Sequence, residues 1–505
     1  MKKYNIFKIL TIVILLSMVL SYFIPGSSIG YTGVEKGTIM PVTFANLFTN
    51  GITTVNAFVT SIVFVLVIGV FYFVLKKTGR YETLVENTAS VFDTNRGLFI
   101  VITVFGLGLV TLFSGNILSM LVFVPFLYDV LSKLGFNKFS SILATIGSII
   151  LGFSGSTYTY YINQYMSLTT KDNLTTKITI GLIGLVSIVA FILVFNKTKK
   201  LTSEVRKSTM KKMIPLYVTF ILLFVFVVLG FVNWNAYFGF DGFEKFLESL
   251  REAKVAKVSV FDAIVGSTVA PFGQWETYNF GILLSFATVI IALIYRLKIN
   301  DFFEAFGEGL KKAFPYAIIV TLANLVLVNV YTSGIFYTMS MALTGKNIDL
   351  TTSSITSVLA SIMYPDYTYA AQFTLTSLMG TSASGYEALF AVVFQAIYSI
   401  FLLVSPTSVL LLFALYKTDT RYIEWFKYII KYFLVLLLVD LLVIAISFKA
   451  FTVPAIILML IILAIIGGIY LFYRIVRKAV KDGIKDSKKE EKKPAKKTTK
   501  KVNKK

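Results

Sequence analysis

Residues 97–133 read GLFIVITVFGLGLVTLFSGNILSMLVFVPFLYDVLSK, two apolar runs joined by Ser114-Gly115-Asn116. Each run approaches the length a membrane helix needs, about 17 to 25 residues. Both outer ends are basic, however: Arg96 precedes the first run, and Lys133 and Lys138 lie at or beyond the end of the second. Basic residues collect on the cytoplasmic side of a membrane, so the chain should enter and leave on one side. A re-entrant hairpin satisfies that condition and a crossing does not. The same charge count gives a second hairpin of opposite sense, in which residues 351–363 and 367–380 flank Tyr364-Pro365-Asp366 and both outer ends are extracellular.

Each hairpin is succeeded by a long apolar segment with helix-breaking residues in its middle. Ser154-Gly155-Ser156-Thr157 interrupts residues 139–168, and Ser405-Pro406-Thr407-Ser408 interrupts residues 389–416. The spacing repeats: 40 residues separate Ser114 from Ser154, and 40 separate Pro365 from Ser405. An amphipathic cytoplasmic stretch precedes each hairpin, at Tyr81–Val91 and Asp301–Leu310, and an extra crossing at 315–335 occurs only in the second half. One additional crossing inverts the segments on its C-terminal side, so the spacing predicts an inverted structural repeat with its breaks near the bilayer midplane. Backbone that is not helical survives in a membrane only where it lines protein or water.

Working outward, apolar runs at 9–25, 52–75, 177–196, 214–233, 278–296, 315–335, 428–448 and 453–473 bring the total, with the two interrupted segments, to about ten transmembrane helices. A composition that is 56% hydrophobic and 15% charged, with a mean hydropathy of +0.78, leaves too much apolar surface for one soluble core. The fold class is therefore all-α and polytopic. Its divisions are a first helix within 1–30; a first repeat over 52–213; a span and extracellular connector over 214–277; a second repeat over 278–448; a last helix at 453–473; and a basic cytoplasmic tail over 474–505.

The chain has neither Cys nor His, which removes thiolate and imidazole catalysis and Cys/His metal sites together. No enzyme activity and no cofactor are expected. Residues 474–505 hold 15 Lys and Arg against 4 Asp and Glu, half of the chain's +22. Such a tail reads as disordered and drawn to anionic lipid, not to nucleic acid. With Lys2, Lys3 and Lys8 inside, every strongly basic loop falls on the same side as the tail, giving a multi-pass plasma-membrane protein with both termini cytoplasmic.

Ser114, Gly115 and Asn116 at one tip, Tyr364, Pro365 and Asp366 at the other, and the two breaks at Ser154–Thr157 and Ser405–Ser408 are the expected solute and ion contacts. The oxygens of Asn116, Ser156, Thr157, Thr407 and Ser408 suit a sodium ion; Asp366, the one carboxylate at any tip or break, would pair with a cationic solute, carry a coupling proton, or face the outer vestibule. The bland alternative is that small residues merely let helices pack closely. Asp440, within an apolar run, should face protein or water, and Trp275, Tyr278 and Trp425 read as an aromatic belt.

Ser405-Pro406-Thr407-Ser408, running through Ala414-Leu415-Tyr416 to Trp425 and Lys427, resembles the T-P-T-S broken helix and subsequent W-x-K stretch of the YfcC-type basic amino acid antiporters. That group is related to the anaerobic four-carbon dicarboxylate carriers and the aminobenzoyl-glutamate transporters of the ion transporter superfamily. Gly152-Phe153-Ser154-Gly155-Ser156 resembles that group's G-F-A-S-S break, and Arg296 to Gly309 its R-L-x5-F-x-E-G stretch. Phe113-Ser114-Gly115-Asn116 stands where such carriers have F-G-M-G-E-E, so their paired glutamates are absent and solute charge stays open. The resemblance spans residues 5–448 and implies an elevator mechanism. The expected function is a secondary active carrier, symporter or exchanger, of an amino acid, peptide fragment or carboxylate. The alternative is a non-transporting scaffold that recruits partners through its tail. A small solute and membrane lipids are the expected partners, with a homodimer left open.

Overall fold

The computed structural model describes residues 4–30, 33–158, 160–195, 210–255, 258–344, 348–378 and 385–471. The basic tail and most of the basic run from Lys197 to Lys212 lie outside the described residues. The chain forms two units, Met1–Thr452 and Val453–Lys505. In chain order the first holds α1 (Tyr4–Phe23), α2 (Phe44–Ala57), α3 (Val59–Lys77), α4 (Tyr81–Phe92), α5 (Arg96–Ser114), α6 (Val124–Lys133), α7 (Lys138–Ser154), α8 (Tyr160–Met166) and α9 (Leu174–Phe195). It continues with α10 (Met210–Phe231), three short connector helices α11 (Trp234–Phe238), α12 (Gly242–Glu252) and α13 (Val260–Ile264), then α14 (Thr277–Ile294), α15 (Ile299–Ser333) and α16 (Ile335–Thr344). The second half closes with α17 (Leu350–Met363), α18 (Tyr367–Leu378), α19 (Glu387–Phe401), α20 (Val409–Lys417) and α21 (Tyr422–Phe448). The described part of the second unit is one apolar helix, α22 (Val453–Leu471). Two small antiparallel ribbons, Ser27–Gly30 with Gly33–Lys36 and Lys254–Val255 with Val258–Ser259, are the strands among the described residues.

The protein is thus an all-α, multi-pass membrane protein. Nine helical segments among the described residues are long and apolar enough to cross a membrane. Eight coincide with crossings read from the sequence. The ninth, Tyr81–Ser114, joins the amphipathic stretch to the first hairpin arm, and length and apolarity do not separate such an arm from a span. Two boundaries differ from the reading. The amphipathic stretch at Asp301–Leu310 and the crossing at 315–335 are one 35-residue helix, α15, which continues through Pro315. The run at 52–75 is divided at Phe58, because a separate helix begins at Phe44, capped reciprocally by Thr43 and Asn46.

Packing sorts the helices into two groups. α3 lies along α15, with α14 against α3 and α1 against α15. The crossing of α3 and α15 depends on glycines: a Cβ on Gly309 would lie 2.6 Å from the Val70 Cα, and one on Gly69 would lie 2.8 Å from the Gly309 carbonyl oxygen. A buried amide pair, Asn50 Nδ2 to Asn329 Oδ1 at 2.9 Å, ties α2 to the same helix. In the other group α5 and α9 pack on α7, while α17 and α21 pack on α19, so each half repeats one arrangement; α7 and α19 then pack on each other.

The first hairpin turns at Gly115, whose φ is +66°. Its return arm α6 packs on α4, the helix before the hairpin: Lys133 Nζ lies 3.0 Å from Glu86 Oε1, and Tyr81 donates to Asp129 Oδ2 at 2.7 Å. The second hairpin turns at residues 364–366, between α17 and α18.

Candidate functional site

Breaking a helix frees backbone donors and acceptors, and these must find partners where water is scarce. At the first break, at the end of α7, the Ser156 amide returns to the Phe153 oxygen at 2.9 Å, and the Thr157 amide and hydroxyl both donate to the Leu112 oxygen, at 2.9 and 3.1 Å. Leu112 lies just before the first tip. Tyr237 of α11 spans the two, donating to the Phe113 oxygen at 3.0 Å and sharing a short hydrogen bond with the Thr157 hydroxyl. Burial pushes the Tyr237 hydroxyl up to about 12, so it remains a donor. The tip and break also touch directly, since a Cβ on Gly115 would fall 2.3 Å from the Tyr158 oxygen and 3.2 Å from Ser156 Oγ. Ser114 Oγ accepts from the Asn116 amide at 3.2 Å, and Asn116 Oδ1 accepts from the Ser119 amide at 3.0 Å, which fixes the turn.

The second break obeys the same logic with other atoms. Ser405 Oγ donates to the Ser361 oxygen at 2.9 Å and Thr407 Oγ1 to the Ile362 oxygen at 2.8 Å, with the two hydroxyls 3.0 Å apart. Ser408 caps α20. Tyr398 donates to the Tyr364 oxygen at 2.8 Å. Donors from the next span meet the end of α19: Trp425 Nε1 reaches the Leu403 oxygen at 2.8 Å, and the Tyr422 hydroxyl bonds the Val404 oxygen. Trp425 is 1% exposed, so it is a buried donor rather than a member of an aromatic belt. Asp440 is likewise buried, as its cost in lipid requires.

The matched spacing thus brings tip and break together within each half. No hydrogen bond among the described residues joins the hydroxyls of Ser156 and Thr157 to those of Thr407 and Ser408. The halves meet instead through Gln395, which accepts from the Tyr367 hydroxyl and donates to the Phe153 oxygen, while the Phe153 and Tyr367 rings pack edge to face at 4.6 Å.

That junction opens into a cavity of about 830 Å³. Ser114, Gly115, Asn116, Phe153 and Tyr158 line it from the first half, Asp366, Tyr367, Thr368, Tyr369 and Gln372 from the second, and Thr60, Ser61, Gln274, Trp275 and Glu276 close it. Of the residues singled out from the sequence, Ser114, Gly115, Asn116 and Asp366 line this space. Ser154, Gly155, Ser156, Thr157, Tyr364, Pro365 and Ser405–Ser408 do not line it. Both lining carboxylates are also helix caps: Asp366 Oδ1 accepts from the Tyr369 amide at 3.2 Å, and Glu276 forms a capping box with Asn279. Among the described residues, no Lys or Arg lines it.

A second cavity, of about 650 Å³, lies toward the other end of α3, where Phe73 and Lys76 replace Thr60 and Ser61. Lys311, Lys312, Lys417 and Asp129 also line it, with Lys417 Nζ 3.3 Å from Asp129 Oδ1. Hairpin 97–133 reaches both spaces, the first with its tip and the second with its return arm. Tyr158, Glu276, Tyr367, Gln395 and Tyr237 were not singled out in the sequence; each is an ordinary residue in an apolar or loop context.

The sequence model of the C4-dicarboxylate anaerobic carriers matches residues 5–449. Among solved structures, the YdaH transporter of Alcanivorax borkumensis is similar at 13% identity and a TM-score of 0.39, over 88% of this chain and 98% of that one. A search of curated proteins found no match.

Proposed function

The chain belongs to the C4-dicarboxylate anaerobic carrier family, and from that premise we propose that it carries a small solute bearing both a carboxylate and an amino group through the cavity between its hairpin tips. It is a membrane carrier; the solute, the coupling and the motion are what this reading adds. The observation that supports it most is that Asn116 and Asp366, the tips of two separate hairpins, line one cavity. Two inward-facing turns meeting around a polar space are what a carrier needs to strip and replace a solute's hydration shell.

Charge narrows the solute. Two like unit charges about 6 Å apart at an effective dielectric near 20 repel by roughly 3 kcal/mol, so a dianion is disfavoured beside a charged carboxylate, and two carboxyl side chains, Asp366 and Glu276, line the cavity. An ammonium group there is favoured, which points to an amino acid or peptide fragment over an unsubstituted dicarboxylate. The hydroxyls and carbonyls around Ser405, Thr407, Ser361 and Ile362 form a compact oxygen cluster of the kind a hard cation prefers, so sodium is the proposed coupling ion. The two hairpins, the broken helices α7 and α19–α20, and α9 and α21 would move as one body against α1, α3, α14 and α15, exposing the cavity to each face in turn.

The test is uptake of labelled L-arginine, L-aspartate and succinate by the purified protein in liposomes, with sodium and pH gradients imposed separately. Accumulation of an amino acid driven by sodium supports the proposal. Accumulation of succinate alone, driven by pH, would replace it with a proton-coupled dicarboxylate carrier in which Asp366 holds the proton.

A further inference from the structure

A solute carboxylate moved through lipid needs a counter-charge on the protein, and the cavity between the tips supplies carboxylates instead. Among the described residues there is a buried cation that lacks a hydrogen-bond partner, with Asp172 acting on it only through space. Lys177, in the fourth position of α9, is 2% exposed, and its Nζ has no hydrogen-bond partner among them. An ammonium withheld from water with its donors unmet is costly, and in a membrane protein it marks a functional position.

The place of Lys177 in the fold connects it to the first break. A Cβ on Gly155 would fall 2.3 Å from the Lys177 oxygen and 2.5 Å from the Gly181 amide nitrogen, so α9 rests on the backbone of the break with no side chain between. Phe153 and Tyr158, on either side of Gly155, both line the cavity. The second half offers a parallel. Trp425 is the fourth residue of α21, the span after the second break, and is also buried; its indole donates to the Leu403 oxygen at 2.8 Å, two residues before Ser405. Lys177, fourth in the span after the first break, is also buried but has no such partner for its Nζ.

We propose that Lys177 is the cation that binds the solute carboxylate, reached when the Gly155–Tyr158 segment shifts with the first tip, while the solute's amino group lies toward Asp366. This rests on the reading of the inter-tip cavity as the solute site. Lys177 would then be a specificity-determining residue, and neutral solutes lacking a carboxylate would be rejected.

The experiment uses the full chain in liposomes, with L-arginine, L-aspartate and succinate as probes, each of which carries a carboxylate. Lys177→Met and Lys177→Gln should raise KM by about tenfold or more at nearly unchanged maximal rate, the pattern of lost ground-state binding, and Lys177→Arg should recover most of it. Because the chain has no native Cys, Lys177→Cys offers a second route: aminoethyl methanethiosulfonate restores an ammonium and should lower KM again, whereas the neutral methyl reagent should not. An unaltered KM in Lys177→Met, an equal loss in the Met and Arg variants, or equal effects of the two reagents would each overturn the assignment. If Asp366→Asn and Asn116→Ala shift KM while Lys177→Met does not, this inference fails alone; if none of the three shifts it, the reading of the cavity fails as well.

Discussion

Single residues decide how tip, break and solute meet. Gly115 combines a φ of +66° with no space for a Cβ, which would sit 2.3 Å from the Tyr158 oxygen. Gly115→Ala should therefore cost about 1–3 kcal/mol in backbone strain and push the tip off the break. A thermal melt in detergent together with uptake kinetics checks this, and unchanged values in both would show the contact to be dispensable. Asp366 keeps one carboxylate oxygen on the Tyr369 amide at 3.2 Å while facing the cavity. Asp366→Asn should raise KM for an amino-bearing solute by roughly 10- to 150-fold, as expected for losing a charge-assisted hydrogen bond of ~1.5–3 kcal/mol, and strengthen competition by succinate, whose repulsion from that carboxylate is removed. Thr407 Oγ1 is held by the Ile362 oxygen at 2.8 Å. With sodium at that cluster, Thr407→Ala should raise the sodium concentration for half-maximal uptake about 5- to 150-fold, the equivalent of ~1–3 kcal/mol; an unmoved sodium dependence places the ion elsewhere.

At the scale of elements, the breaks are stable because neighbouring helices satisfy their ends. The Leu403 oxygen at the end of α19 accepts from Trp425 in α21. Trp425→Phe keeps the apolar bulk and removes the donor, so the buried carbonyl should cost about 1–3 kcal/mol, seen as a lower melting midpoint of the intact chain. No change would mean water or relaxation replaces the bond. The α3–α15 crossing is limited differently, by volume. A side chain at Gly309 meets the Val70 backbone at 2.6 Å, so Gly309→Val should destabilise by about 1–3 kcal/mol or more through overpacking. Gly307, two residues away in the same helix with open space around its Cβ position, is the control: Gly307→Ala should be neutral or slightly stabilising by about 0.5–1 kcal/mol.

For the whole molecule, the charge count predicts the loop at Lys138 inside and the loop at Asp349 outside. A chain without native Cys allows single cysteines to be placed at either point. A membrane-impermeant maleimide applied to intact cells should label the cysteine near Asp349 and spare the one near Lys138; the reverse pattern, or labelling of both from one side, removes the inversion. The two cavities lie toward opposite ends of α3.

Local signals carried the architecture. Apolar runs of membrane length, and the serine, glycine and proline that interrupt them, are properties of short stretches, so eight apolar helices long enough to cross, the turns at Gly115 and at residues 364–366, and two helix breaks could be read directly. Even the meeting of tip and break could be inferred, because a 40-residue separation repeated in each half leaves few other ways to satisfy the freed backbone. Which hydroxyl meets which carbonyl could not, since Thr157 to Leu112 and Thr407 to Ile362 depend on how α5 and α17 settle on the breaks. Continuity through Pro315 was hidden because packing against α3 outweighs one lost hydrogen bond. Nor did the sequence show that Gln395 joins the halves, that Trp425 is an interior donor, or that Asn116 and Asp366 share a cavity. A run of apolar and polar letters fixes what must be buried; which buried groups become partners is decided only when distant helices pack.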